Sequence, residues 1–347
     1  MIAIDKKVLI LTKTMHPFEA YGVLNPAVIQ EGELVHVLYR AVAKGNRSSI
    51  GYCQLNGPLA IEKRNQEPLL SPATAYESQG MEDPRTVKID GLYYLSYCAY
   101  DGLNALGALA TSTDLVHFTR HGIIVPQIGF DEMEALIGSG NGRNEKYRRY
   151  NHHHESLTNT GIKKLVWDKN VVLFPRKING QFWFLHRIKP DIQIASVHSF
   201  DELTADFWHS YLSHLEQHIA LSPKYAHEVS YIGAGCPPIE TEHGWLLIYH
   251  SVHDTLGGYV YSASAALLDL HQPQIELARL PYPLFVPEHA WELTGEVNNV
   301  VFPTGTSRFE DTLYIYYGAA DAQIACASLS ITHLLTELLR YPKSDRS

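Results

Sequence analysis

One pattern recurs five times along the chain: a proline, an apolar stretch, a turn, and a strand rich in aromatics that closes on an aromatic or His. The first copy is Asn25-Pro26-Ala27-Val28, a turn at Glu31-Gly32, and Leu34 to Tyr39. The second is Asp83-Pro84-Arg85, Asp90-Gly91, and Tyr93 to Tyr97; the third is Phe174 to Ile178, Asn179-Gly180, and Phe182 to His186. The fourth runs from Pro237-Pro238-Ile239 through His243-Gly244 to Trp245–Tyr249, and the fifth from Phe302-Pro303-Thr304 through Glu310-Asp311 to Leu313–Tyr317. Asp-Gly and Asn-Gly accept the positive φ that a tight, right-twisted hairpin needs, so each copy predicts at least one antiparallel hairpin. Small-residue stretches at Gly107 to Leu115, Ile192 to Leu203, Tyr261 to Leu270 and Ile324 to Leu334 read as the next strand outward.

The marker prolines Pro26, Pro84, Pro175, Pro238 and Pro303 recur about every 60 residues, the spacing of four-stranded units repeated radially in a β-propeller. One interval is longer by roughly 30 residues, matching the polar stretch 129–165, with Gly138-Ser139-Gly140-Asn141-Gly142, Arg148, Arg149 and His152 to His154. That stretch reads as an inserted loop or lid, because adjacent histidines in a strand cannot all face one metal ion. The expected fold is therefore all-β, a five-bladed β-propeller occupying 1–347 as one domain; two β-sandwiches would explain the composition but not the recurrence. The composition agrees, with 21 Tyr, 11 Phe, 5 Trp, 24 Gly and 18 Pro supplying strand and turn formers.

The formal charge of −9 repels polyanions and argues against a nucleic-acid partner. Apolar runs such as Trp245 to Tyr249 are strand-sized, well short of the roughly 20 residues of a membrane helix. Lys6 and Lys7 interrupt the first apolar run and no secretory h-region follows, so a cytoplasmic location is expected. Cys53, Cys98, Cys236 and Cys326 lack metal or scaffold spacing and read as buried free thiols.

A hairpin starts and ends at one edge of its sheet, so Asn25 should lie near Arg40, Asp83 near Cys98 to Asp101, Asn170 near Arg187, and Cys236 near His250. In a propeller these ends converge on one mouth of the channel, where Asn25, Arg40, Asp83, Arg187, His250 and Asp321 would form a polar pocket for a small hydroxylated ligand. Asp83 before Pro84 could equally cap a turn, and His250 could be a structural histidine.

Glu82-Asp83-Pro84-Arg85, Lys169 to Gly180, His186-Arg187, Ile232 to Pro238, Gly244 to His250 and Ser264 to Asp269 together resemble glycoside hydrolase family 130, over roughly residues 20 to 330. The resemblance implies a five-bladed propeller that cleaves β-mannosides with inversion, as a phosphorylase or a β-mannosidase. It implies that Asp83 is the general acid, passing its proton through the 3-hydroxyl of the bound mannosyl unit, with a pKa raised by burial and nearby carboxylates. It further implies that Asn25, Arg40 and Asp321 hold the mannosyl unit, with Arg85 and Asp101 beside them. Asn170, Arg187, His250 and Tyr261 fit the family's phosphate pocket.

That pocket is where the sequence departs from the family. Lys169 stands for an Arg, turning a bidentate fork into a point charge, and Tyr231 stands for a Lys, removing a positive charge. Glu228 lies three residues before Tyr231. As a hydrolase the enzyme would use Asp83 as acid and Glu228 as the base activating water, the pair standing about 6.5–9.5 Å apart. As a phosphorylase it would use inorganic phosphate as co-substrate and need only cations to hold it. The lost cation and the added Glu tip the expectation to hydrolysis. A non-catalytic sugar-binding propeller is the reading from another class, but the polar residues differ from copy to copy, which favours one composite site. Neither chemistry requires a metal or cofactor. The partner expected is a small oligosaccharide; linkage, chain length and any homo-oligomer stay open.

Overall fold

The computed structural model describes residues 2–137, 145–147, 149 and 164–343. It is built mostly of β-strands with few helices, the all-β class that the repeat and composition predict. An eight-stranded sheet resolves into two four-stranded antiparallel units joined by a single parallel bridge, Ser48 to Gly80. The first unit comprises Gly22–Glu31, Leu34–Ala43, Arg47–Asn56 and Ala60–Arg64; the second comprises Gly80–Ile89, Leu92–Tyr100, Ala105–Ser112 and Thr119–Ile123. A third sheet runs through Lys169–Leu173, Phe182–Arg187, Ile192–Val197 and Ile219–Leu221, and a fourth through Tyr231–Ala234, Gly244–Thr255, Gly258–Leu268 and Glu276–Arg279. The last takes Val301–Phe309, Thr312–Ala319 and Gln323–Ser330 from the end of the chain, and its outer strand, Lys6–Leu11, from the beginning.

The hairpins form where the turn chemistry predicts. Asp90 and Gly91 adopt φ of 51° and 83°, and Asn179 and Gly180 adopt 53° and 79°, the paired positive values of a tight hairpin turn. Apolar packing then links neighbouring units face to face. Tyr97, Leu95 and Met81 pack with Leu38 and Ile50, Phe184 and Leu173 with Val87 and Leu109, and Trp245 and Leu247 with Phe174 and Leu185. Val301 and Tyr317 pack with Leu246 and Ile248, and Tyr316 and Ile324 pack with Val35 and Tyr39. The fifth contact returns to the first unit, so the units follow one another in a closed cycle.

A buried polar pattern recurs with the same period. The aromatic or His near the end of each second strand hydrogen-bonds a wholly buried carboxylate from a neighbouring segment. Tyr39 donates to Glu19 at 2.7 Å, Tyr97 to Glu77 at 2.6 Å, Tyr317 to Glu292 at 2.6 Å and Tyr249 to Glu228, while His186 Nδ1 meets Asp168 at 2.7 Å. Four of these carboxylates also pair with a cation: Glu19 with Arg64, Glu77 with Arg120, Glu228 with Arg279 and Glu292 with Lys7. Burying a carboxylate costs several kcal/mol unless it is paired and hydrogen-bonded, and here each is satisfied.

Two stretches depart from the sequence reading. The segment 129–165 begins as a helix, Phe130–Ile137, whose Glu132 meets His209 of the helix Ala205–Ser213 at 3.0 Å. Arg148 and His152 to His154, assigned to a lid, lie outside the described residues. The stretch Ile324 to Leu334 leaves its strand at Ser330, whose hydroxyl caps the helix Ile331–Leu338 by accepting from the His333 N–H. All four cysteines are buried and unpaired. No helix among the described residues is long and apolar enough to cross a membrane.

Candidate active site

The inner strands carry a local irregularity that serves the site. Pairing slips between Leu24 and Ala27, between Glu82 and Arg85, and between Lys169 and Val172. Within each slip one residue takes positive φ: Asn25 at 49°, Asp83 at 47° and Asn170 at 57°. Asn and Asp visit this region more readily than other non-glycine residues, and a bulge re-aims the side chain it carries. On the neighbouring strands Arg40, Arg187 and His250 directly follow Tyr39, His186 and Tyr249. Successive strand residues point to opposite faces, so each aromatic or His serves the packing between units while the next residue is turned to the site. The fifth copy has Gly318 after Tyr317, and a Cβ there would lie 1.9 Å from Asn25 Oδ1.

One side of the site is acidic. Asn25 Nδ2 donates to Asp83 Oδ1 at 2.6 Å. Arg40 binds Glu82 at 2.7 Å, lies 3.7 Å from Asp83, and donates from Nε to Ser48 Oγ at 2.9 Å. Arg85 is buried beneath them, donating to the carbonyls of Gly235 at 2.6 Å and Asp83 at 2.7 Å. Burial alone would raise the pKa of Asp83, but the charges of Arg40, Lys169 and Arg85 and the Asn25 hydrogen bond hold it below the ordinary carboxylate range. The expected upward shift thus falls on its neighbour: burial, together with the charge of Asp83, pushes Asp321 up to about 6. These opposed shifts on interacting carboxylates are what acid–base sites use to keep one proton available.

The other side is basic. Lys169 stands opposite Arg187 across its hairpin, and Arg187 Nη1 lies 3.1 Å from His250 Nε2. Arginine only donates, so Nε2 accepts and the imidazole proton sits on Nδ1. Burial, then the charges of Arg187, Arg85, Lys189 and Lys169, hold His250 neutral, its pKa well below the usual value. Several buried polar atoms here have no partner among the described residues: both side-chain atoms of Asn170, Nε of Arg187 and Nδ1 of His250. Tyr231 and Tyr261 join by their hydroxyls at the edge of this cluster. Gly233 lies opposite His250 in register, and a Cβ on it would approach His250 Nε2 to 2.5 Å and Asn170 Nδ2 to 2.7 Å. The cluster is therefore an arrangement of directed donors among cations, suited to an anion's oxygens.

Two assigned residues are occupied elsewhere. Glu228 accepts from the backbone N–H groups of Lys224 and Tyr225 and from the Tyr249 hydroxyl, and pairs with Arg279. Glu77 and Glu292 have the same partner types in their own units, so Glu228 is one copy of a structural repeat; its lone pairs are committed, which counts against its assignment as a base. Asp101 accepts from the N–H groups of Leu103 and Asn104 in its own turn, which accounts for its side chain without a sugar. Cys236 lies past the position facing His250, which Gly233 takes. Sequence reasoning missed Glu82, Gly233, Gly318 and Lys189. The glycines carried a signal in hindsight, as residues at the edge of hairpins whose partners are bulky. Among the described residues no group of His, Cys, Asp and Glu could hold a metal ion.

Comparisons with known proteins place these observations. Residues 6–340 match the family model of glycoside hydrolase family 130, described as beta-1,4-mannooligosaccharide phosphorylase. The chain is 34% identical to a 1,2-beta-oligomannan phosphorylase of Thermoanaerobacter sp. (strain X514), covering 94% of this chain and 96% of that one. It is also 34% identical to a beta-1,2-mannobiose phosphorylase of the same organism, covering 90% and 91%. Among solved structures, the beta-1,2-mannobiose phosphorylase of Listeria innocua has the same fold, with a TM-score of 0.70 at 23% identity over 94% of this chain and 95% of that one.

Proposed function

The chain belongs to glycoside hydrolase family 130, and from that premise we propose that it is an inverting β-mannoside phosphorylase, a five-bladed β-propeller forming one domain. The closed cycle of apolar contacts and the shared fold support the architecture. The observation that carries the chemistry is the basic cluster, in which Asn170, Arg187 and His250 offer unpartnered buried atoms beside Lys169. This reverses the expectation of hydrolysis drawn from Tyr231 and Glu228. Glu228 is held by Tyr249 and Arg279, and full-length relatives carry phosphorylase activity by name.

In this reading the acidic side holds the mannosyl unit through Asn25, Arg40 and Asp321, with Arg85 bracing the Asp83 backbone. Phosphate lies against Lys169, Asn170, Arg187 and His250, with Tyr231 and Tyr261 at the rim. A phosphate oxygen attacks the anomeric carbon as the bond to the glycosidic oxygen breaks, and the departing oxygen receives the one proton that the Asp83–Asp321 pair carries, with Asp83 as the carboxylate that hands it on. Inversion converts the β-mannoside to α-mannose 1-phosphate and the shortened acceptor. The requirement for the Asp83 side to supply a proton and the opposite side to hold an anion matches the split of charge across the site. The relatives' names favour a β-1,2 linkage. The unpaired thiols agree with a reducing, cytoplasmic setting.

The test is incubation with β-1,2- and β-1,4-mannobiose, with and without phosphate. Mannose 1-phosphate formed only with phosphate is the expected result. Free mannose released at the same rate in both conditions would instead establish a hydrolase, and neither product would leave a sugar-binding protein.

A further inference from the structure

We propose that Lys189 supplies the phosphate-holding positive charge that Tyr231 lacks, so that the pocket has moved a cation from one strand to a neighbouring loop. The inference rests on the phosphorylase reading and deepens it. Lys189 follows the strand Phe182–Arg187 and lies half-buried, its Nζ 3.8 Å from the centre of the Tyr231 ring. The Arg187 guanidinium carbon lies 5.2 Å from the same centre. The tyrosine that occupies the lysine position of the family is thus the shelf on which two cations rest, one of them already hydrogen-bonded to His250.

The surroundings of Lys189 leave its charge unbalanced. Arg187 comes from its own hairpin, Lys169 from the strand opposite, Tyr231 and His250 from the fourth sheet, and Tyr259 and Tyr261 pack against Tyr231. Asp191, the nearest acid in sequence, is taken by Lys146 at 2.5 Å and by the Tyr147 hydroxyl. No carboxylate among the described residues forms an ion pair with Lys189. Burial, then the charges of Arg187 and Lys169, push its pKa down to about 6. Lysine shifts readily in this way because its ammonium is a compact, strongly hydrated charge. A phosphate dianion reverses the balance: one proton passes from solvent to Nζ as the anion binds, and the ammonium then donates to a phosphate oxygen.

The experiment measures phosphate binding by calorimetry at about pH 8, where phosphate is already dianionic, in buffers of different ionisation enthalpy, alongside phosphorolysis kinetics. Lys189→Met should weaken phosphate binding and raise the phosphate KM by about 10- to 100-fold, the scale of one charge-assisted contact. The mannoside KM should stay within about two-fold. Lys189→Arg should bind phosphate within a few-fold of the wild type but without the proton uptake, since arginine is always charged. A phosphate affinity unchanged in Lys189→Met, or uptake undiminished in Lys189→Arg, overturns the proposal. Wild-type protein that binds phosphate yet releases no mannose 1-phosphate overturns the phosphorylase reading alone, and wild-type protein that binds no phosphate overturns both.

Discussion

Asp83 and Asp321 both answer to Arg40, yet their environments drive them apart. Arg40, Lys169 and Arg85 hold Asp83 charged against the effect of burial, whereas burial and the Asp83 charge keep a proton on Asp321 up to about pH 6. The pair therefore carries one proton below about pH 6 and loses it above. If that proton serves the leaving group, kcat/KM for the mannoside at saturating phosphate should fall as pH rises through about 6, and Asp321→Asn should remove or displace that limb. A profile flat from about pH 5 to 8 would contradict this coupling. Asp83→Asn should lower kcat by about 10²- to 10⁴-fold with the thermal midpoint little changed. Glu228→Gln should do the opposite. It removes one of the two carboxylates paired with Arg279, which keeps Glu276, and costs about 1–3 kcal/mol of stability, while turnover of the folded fraction stays within a few-fold. A large loss of turnover at unchanged stability would return Glu228 to the role of base.

The inner hairpins do two jobs with adjacent residues, and glycine marks where one job constrains the other. Gly233→Ala would press on His250 and Asn170, and Gly318→Ala on Asn25. The first should raise the phosphate KM and spare the mannoside KM; the second should do the reverse, and identical effects on both substrates would mean that the two halves of the site are not separable. The hairpins themselves were legible in the sequence, because Asp90-Gly91 and Asn179-Gly180 encode their turns locally. So were Asn25 and Asp83, each directly before a proline, and Asn170, which the hairpin places near Arg187. The buried carboxylates were not, because Glu19, Glu77, Asp168, Glu228 and Glu292 lie 18 to 25 residues before their Tyr or His partners, outside the proline-to-strand pattern, and only packing brings them together. Lys189 was hidden for the same reason. Its significance depends on Tyr231 from another sheet, and nothing in its local sequence distinguishes it from an exposed lysine.

Closure of the cycle depends on a strand far from its partners in sequence. Lys6–Leu11 pairs antiparallel with Gln323–Ser330 and completes the last sheet, burying Leu11 against the first unit. Lys7 adds a polar clasp, donating to the Val286 carbonyl at 2.8 Å and pairing with the buried Glu292 at 3.2 Å. Burial alone would raise the pKa of Glu292, but the N–H groups of His289 and Glu288, the Tyr317 hydroxyl and Lys7 hold it below the ordinary range. A carboxylate with a lowered folded pKa contributes stability that is present above its unfolded pKa and lost as pH falls through the folded one. Lys7→Met removes one of the groups that hold Glu292 down and leaves a buried charge short of its cation. It should cost about 3–5 kcal/mol at neutral pH, and the deficit relative to wild type should shrink in acid, as protonation of Glu292 removes the charge that Lys7 balances. Thermal unfolding of the two proteins from about pH 3 to 7 measures this directly. A deficit constant across that range would mean that Lys7 acts through packing on Phe285, whose ring centre lies 5.2 Å from its Nζ, and not through the ion pair that ties the first strand to the last unit.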